Sequence, residues 1–76
     1  MTIDQLRNWA DLHGFYWQAD AEGGIRMYRG EADMEEVYAE AIGAPLETLE
    51  RASNLMARRY CLVPPRIALH LNHTKE

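Results

Sequence analysis

The tight break Gly43-Ala44-Pro45 constrains this chain more than any other feature, because it separates two stretches of helical periodicity. Asp33 and Glu36 have the spacing of a capping box at the start of the first stretch. Gly43 suits the left-handed residue that ends a helix, and Pro45 suits the first residue of the next helix. The apolar residues before the break recur at helical spacing: Met34, Val37, Tyr38, Ala41 and Ile42. The sequence therefore predicts two helices over residues 33–59.

The second helix of this pair has charges that match the helix dipole. Glu47 and Glu50 lie near its start, and Arg58 and Arg59 lie near its end. Its inward stripe is formed by residues at helical spacing: Leu46, Leu49, Ala52, Ser53, Met56 and Tyr60. This half of the pair is thus predicted from both periodicity and charge.

The N-terminal part of the chain predicts a helix followed by a β-hairpin. Thr2 and Gln5 form a capping-box pattern before an apolar stripe that ends at Gly14. Residues 15–20 and 25–29 favour strands on either side of the turn residues 21–24. The buried face of the hairpin would hold Phe15, Trp17, Ile25 and Met27, and the other face Tyr16, Gln18, Arg26 and Tyr28.

The C-terminal part predicts a third strand. Val63-Pro64-Pro65 would end any helix, because proline lacks the N–H that continuation needs. Ile67, Leu69 and Leu71 then alternate with more polar residues. The expected fold is therefore α+β in the order α-β-β-α-α-β, with a three-stranded antiparallel sheet packed against helices. We expect one domain over residues 1–76, with 72–76 as a frayed tail.

Composition and charge exclude several classes of function. With 47% hydrophobic and 26% charged residues the chain has a globular composition. Its net charge of −4 argues against sequence-independent binding of nucleic acid, which depends on Lys and Arg. Cys61 is the only cysteine, so no intrachain disulfide forms and a reducing compartment is favoured. Without an apolar run of membrane-spanning length or a leader-like N-terminus, we expect a cytoplasmic protein and no membrane partner.

Few residues suggest catalysis or metal binding. Cys61, His70 and His73 can bind metals, but a structural zinc site requires a fourth protein ligand. On the predicted strand, His70 and His73 would also point to opposite faces. No oxyanion-hole pattern accompanies Cys61. We therefore expect no enzyme activity, no metal and no cofactor.

Residues 35–54 carry the spacing of a known DNA-binding motif. Ala39, Gly43 and Leu49 stand where that motif has a small residue, a turn glycine and an aliphatic residue. The stretch resembles the helix-turn-helix of small phage repressors, although any short αα-hairpin requires the same types of residue at these positions. Its other apolar offsets are occupied by Tyr38, Ile42, Ala44 and Ala52.

The resemblance implies that the second helix enters a major groove. The residues that would then face DNA include Glu47, Arg51, Asn54 and Arg58. Arg51 and Asn54 are natural base readers, whereas Glu47 and Glu50 would bring two carboxylates close to a polyanion. A DNA-binding transcriptional regulator is therefore the alternative function.

Protein binding is the leading interpretation. The candidate contact residues are the hairpin residues Tyr16, Arg26 and Tyr28 and the acidic residues Glu36, Glu40 and Glu47. Tyr and Arg are enriched at binding hot spots, and an acidic face complements a basic partner. A small acidic chain suits an inhibitor or regulator of a basic, nucleic-acid-handling complex, such as a phage-encoded inhibitor of bacterial defence. That step is an analogy of size and charge. Formation of a homodimer is a further possibility. In another interpretation the surface has no binding role: the tyrosines cover the sheet and the charge keeps the protein soluble.

Overall fold

The computed structural model describes residues 1–29, 35–43 and 45–74, and gives the backbone alone for 35, 36 and 72–74. Its elements follow the order α1 (Ile3–Leu12), β1 (Phe15–Ala19), β2 (Ile25–Arg29), β3 (Glu35–Ala39), α2 (Pro45–Arg59) and α3 (Pro65–Thr74). The three strands form one antiparallel sheet in the order β1-β2-β3. The predicted α+β class is confirmed, but the observed order is α-β-β-β-α-α.

The first helix begins as its sequence predicts. The Thr2 side chain accepts a hydrogen bond from the Gln5 backbone N–H, and the Gln5 side chain accepts one from the Thr2 N–H, which completes a capping box. Leu6 and Trp9 are buried on the inward face. The Trp9 indole N–H donates to the Val63 carbonyl oxygen over 3.1 Å, which ties α1 to the segment before α3.

The predicted hairpin is also confirmed. Tyr16 pairs with Tyr28, and Trp17 pairs with Met27, in the antiparallel register of β1 and β2. Because side chains alternate along a strand, this register divides the hairpin residues between two faces as predicted. Met27 is fully buried and Tyr16 is exposed, which fixes the face that holds the core.

The first helix of the predicted helical pair is wrong, because residues 35–39 form β3. Val37 and Ala39 are buried, while Tyr38 between them is exposed, so the observed period is two residues. A helix would have buried Tyr38 and Ile42, yet Ile42 is 48% exposed. Pairing with β2, whose edge would otherwise be open, overrides the local helical pattern. The proposed capping residue Asp33 lies outside the described residues.

The second helix of the predicted pair is confirmed as α2. It begins at Pro45, buries Leu49 and Met56, and has Arg58 and Arg59 in its last turn. Its end is closed by two backbone bonds: the Leu62 N–H donates to the Ala57 oxygen at 2.8 Å, and the Cys61 N–H donates to the Arg58 oxygen at 3.4 Å. Cys61 occupies the left-handed position of this cap, with φ of 57°.

The predicted third strand is wrong, because residues 65–74 form α3. Pro65 is the first helical residue, a position where its missing N–H costs nothing. Pro65 is buried and Ala68 and Leu69 are half-buried, which is the i, i+3, i+4 spacing of a helix face. His70 and His73 therefore lie on a helix and not on a strand. The helix also includes residues 72–74, which were predicted as part of a frayed tail.

The core lies between the sheet and the helices. α1 packs against β1, α2 packs against β2 and β3, and α3 packs against α1 and α2. Ser53 is fully buried in α2, and its hydroxyl donates a hydrogen bond to the Leu49 carbonyl oxygen at 2.9 Å. The buried hydroxyl therefore has a hydrogen-bond partner inside the core. Among the described residues, no helix has both the length and the apolar character needed to cross a membrane.

Candidate protein-binding surface

One face of the sheet is turned away from the helices, and we call it the outer face. It is formed by the alternate residues of the three strands: Tyr16, Gln18, Arg26, Tyr28 and Tyr38. Tyr16 is 43% exposed and Tyr38 is 40% exposed. The described helices pack on the opposite face, where Phe15, Ile25 and Met27 are buried. The outer face is thus an aromatic layer in contact with solvent.

The two hairpin tyrosines form one unit on this face. The Tyr16 and Tyr28 rings are stacked, with centroids 5.3 Å apart and planes inclined by 19°. They are directly opposite each other across β1 and β2, so the backbone holds the rings together. A stacked, pre-positioned pair loses little conformational entropy when a partner covers it, which favours its use as a contact surface.

A second aromatic unit lies on β3. Tyr38 is opposite Arg26 in the register of β2 and β3, and the Arg26 guanidinium carbon lies 5.9 Å from the Tyr38 ring centroid. The pKa of Tyr38 is raised by partial desolvation and by the nearby carboxylates of Asp20, Glu22 and Glu40. Interaction of the Tyr38 hydroxyl with Asp20 raises this pKa further. The end of the outer face near Tyr38 is therefore acidic, and we call Asp20, Glu22 and Glu40 the acidic corner.

Gly24 allows the Tyr38 ring to lie over the turn. A Cβ at Gly24 would stand 2.6 Å from the Tyr38 hydroxyl oxygen and 2.7 Å from two ring carbons. A Cβ at this position would displace the Tyr38 ring, whereas the backbone of Gly24 has no positive φ. The small size of Gly24 helps to bring Tyr38 beside the acidic corner.

The structure brings together most, but not all, of the residues predicted to bind a protein. Tyr16, Arg26 and Tyr28 share the outer face. The backbone register pairs Glu36 with Tyr28, and Glu40 follows β3 beside Tyr38. Glu47 does not join them, because it lies in the first turn of α2.

The residues predicted for DNA contact share a different surface. Glu47, Arg51, Asn54 and Arg58 line one open concavity of about 490 Å³ along α2. Within the described residues 35–43, no helix precedes α2 as a helix-turn-helix requires, since residues 35–39 form β3. The structure therefore groups the four side chains without forming the two-helix unit that would present them to a groove.

Tyr38 and two members of the acidic corner, Asp20 and Glu22, were missed as site residues. Tyr38 was assigned to a helix face, and Asp20 and Glu22 belong to the hairpin turn. The alternation of Val37, Tyr38 and Ala39 was the signal that could have placed Tyr38 on a solvent face. Comparison with protein-family models, with curated proteins and with solved structures finds no match to this chain.

Proposed function

We propose that this protein is a non-enzymatic binding module whose outer face docks on a basic surface of another protein. The observation that carries the proposal is the exposed aromatic layer beside a cluster of carboxylates. Tyr16 and Tyr28 offer a flat apolar contact of the kind enriched at binding hot spots. The acidic corner gives this contact a charge that attracts a basic partner and orients it.

The proposed role is inhibition or regulation of a basic, nucleic-acid-handling complex, as a phage-encoded inhibitor of bacterial defence would act. The net charge of −4 supports a basic partner, because the whole chain and the acidic corner of the docking face are both negative and would both attract it. The proposed compartment is the cytoplasm, because Cys61 is an exposed free thiol. DNA recognition through α2 has less support, because the preceding helix is replaced by a strand.

The proposal is tested by affinity capture from a bacterial lysate treated with nuclease, followed by identification of the bound proteins. We expect the natural sequence to retain basic proteins. Tyr16→Ser combined with Tyr28→Thr should lose them, because these changes remove the stacked rings and keep the strand-forming character of position 28. Leu12→Ser is the control, since Leu12 is 79% exposed at the end of α1 and does not belong to the outer face.

A second pair of variants separates a docking site from general charge attraction. The first variant neutralises two members of the acidic corner with Asp20→Asn and Glu40→Gln. The control neutralises two carboxylates on α1 with Asp4→Asn and Asp11→Asn. Both variants raise the net charge by the same amount, so they differ in location alone. Equal loss of binding in both, or retention by the tyrosine variant, would contradict the proposed docking face.

A further inference from the structure

A groove runs between α2 and the edge of β3 that faces away from β2. One of its two adjoining concavities, of about 450 Å³, is lined by Val37, Tyr38, Leu55, Arg58 and Arg59. The other is the concavity along α2 described above, and it shares Leu55 and Arg58 with the first. We call this continuous surface the β3–α2 groove.

The strand that borders the groove has one neighbour. In the order β1-β2-β3, β3 pairs with β2 on one side, and no other described strand pairs with its second side. Every second residue of such an edge strand turns its N–H and C=O outward, where an extended chain can pair with them. Because both Val37 and Tyr38 line the concavity, the edge is accessible between the two faces of the sheet.

The groove has more arginines than carboxylates on an otherwise acidic protein: Arg51, Arg58 and Arg59 line it together with Glu47 and Glu50. Arg51 and Arg58 are exposed, and neither forms an ion pair within the described residues. Glu50 does not neutralise them, since both of its carboxylate oxygens accept hydrogen bonds from Arg66, at 2.7 and 2.9 Å. The Glu47 carboxylate lies beside Gly43, since a Cβ built on Gly43 would come within 2.6 Å of it.

The groove also offers apolar contacts. Ile42 is 48% exposed, and Leu55 is half-buried between the strand edge and the arginines. In an added strand, side chains on one face would meet Leu55 and Arg58, and the alternate side chains would lie beside Tyr38. The ligand that fits is therefore an extended segment in which acidic and apolar residues alternate.

We propose that the β3–α2 groove binds an acidic extended peptide of another protein, which adds to β3 as a fourth strand. Backbone pairing with β3 supplies affinity, while Arg51, Arg58 and Leu55 select the side chains. This site does not rest on the proposed docking of the outer face, because it uses arginines and a strand edge and not the acidic corner. Duplex DNA fits the observations less well, since it makes no use of Ile42, Leu55 or the outer edge of β3.

The experiment is an NMR titration of the ¹⁵N-labelled protein with a short synthetic peptide in which glutamate alternates with valine. We expect the largest shift changes at the Val37, Tyr38 and Ala39 amides and slower hydrogen exchange along β3. Arg58→Glu should weaken binding at least about tenfold, because it turns an attraction into a repulsion. Arg7→Glu is the matched control: it makes the same charge change on α1 and should leave the affinity unchanged.

Two further probes decide between occupants. The same peptide with a central proline cannot continue the ladder and should not bind; equal binding would overturn strand addition. Labelled duplex DNA should show no Arg58-dependent binding at about 50 mM salt, and binding that weakens steeply by about 200 mM would replace the peptide with DNA. Protection of β3 that rises with protein concentration, without peptide, would make a second copy of this chain the occupant and overturn the proposal.

Discussion

The ion pair between α2 and α3 gives a sharp test of the fold. The Arg66 Nη2 atom lies 2.7 Å from Glu50 Oε1, and Arg66 Nε lies 2.9 Å from Oε2, so the pair is bidentate. The Arg66 side chain is 64% exposed and that of Glu50 is 20% exposed, so solvent screens the attraction from one side. We expect a coupling free energy of about 0.5–1 kcal/mol, at the upper end for exposed pairs because of the bidentate geometry.

The measurement is a double-mutant cycle with Glu50→Gln, Arg66→Gln and the double variant, using thermal or urea unfolding. For a domain of this size the coupling corresponds to about 2–8 °C in Tm. Hydrogen bonding by Arg66 lowers the pKa of Glu50 in the folded protein below its ordinary value of 4.5. The coupling is therefore fully present above pH 4.5 and is lost as the pH falls through the folded-state pKa of Glu50. A coupling below about 0.2 kcal/mol at neutral pH, or one that is unchanged near pH 2, would refute the bidentate ion pair between Glu50 and Arg66.

Two substitutions test local features of the structure. Cys61→Gly should raise the free energy of unfolding by about 0.5–1 kcal/mol, because glycine removes the steric cost of the left-handed cap; Cys61→Ala is the control and should give no gain in thermal unfolding. Gly24→Ala should push the Tyr38 ring off the turn and lower the raised pKa of Tyr38 toward its ordinary value of 10.0. Ultraviolet titration with Tyr38→Phe as reference measures this pKa, and an unchanged value would show that the ring does not lie over Gly24. Because the folded pKa is raised, the stabilisation from Tyr38 is fully present below pH 10.0 and is lost as pH rises through the folded pKa.

The parts of the fold that sequence predicted are those in which local chemistry and tertiary packing agree. The capping box of Thr2 and Gln5 fixes the start of α1, and the alternation around residues 21–24 fixes the hairpin register. Along α2, Pro45, the charge distribution and the apolar stripe all indicate the same helix. In each case a single period fits the residues, so no competing structure had to be weighed.

The two wrong elements are stretches in which both periods fit. Val37 is inward in either a helix or a strand, and Tyr38 alone distinguishes them. The open edge of β2 decides this case, and that edge is a tertiary feature invisible in the local pattern. For α3, alternation of Ile67, Leu69 and Leu71 suggested a strand, although Pro65 already marked a helix start. Ile67 and Leu71 are exposed, so these apolar residues do not mark the buried face of the element.

The misassigned strand is also the element on which both proposed surfaces depend. If residues 35–39 were helical, Tyr38 would be buried and no strand edge would border α2. As β3, they place Tyr38 beside the acidic corner on the outer face and, at the same time, on the wall of the β3–α2 groove. Surfaces of opposite charge thus meet along one strand. A partner on the outer face and a peptide on the edge would both contact the Tyr38 ring, so the affinity of each would depend on whether the other is bound, and by the same factor.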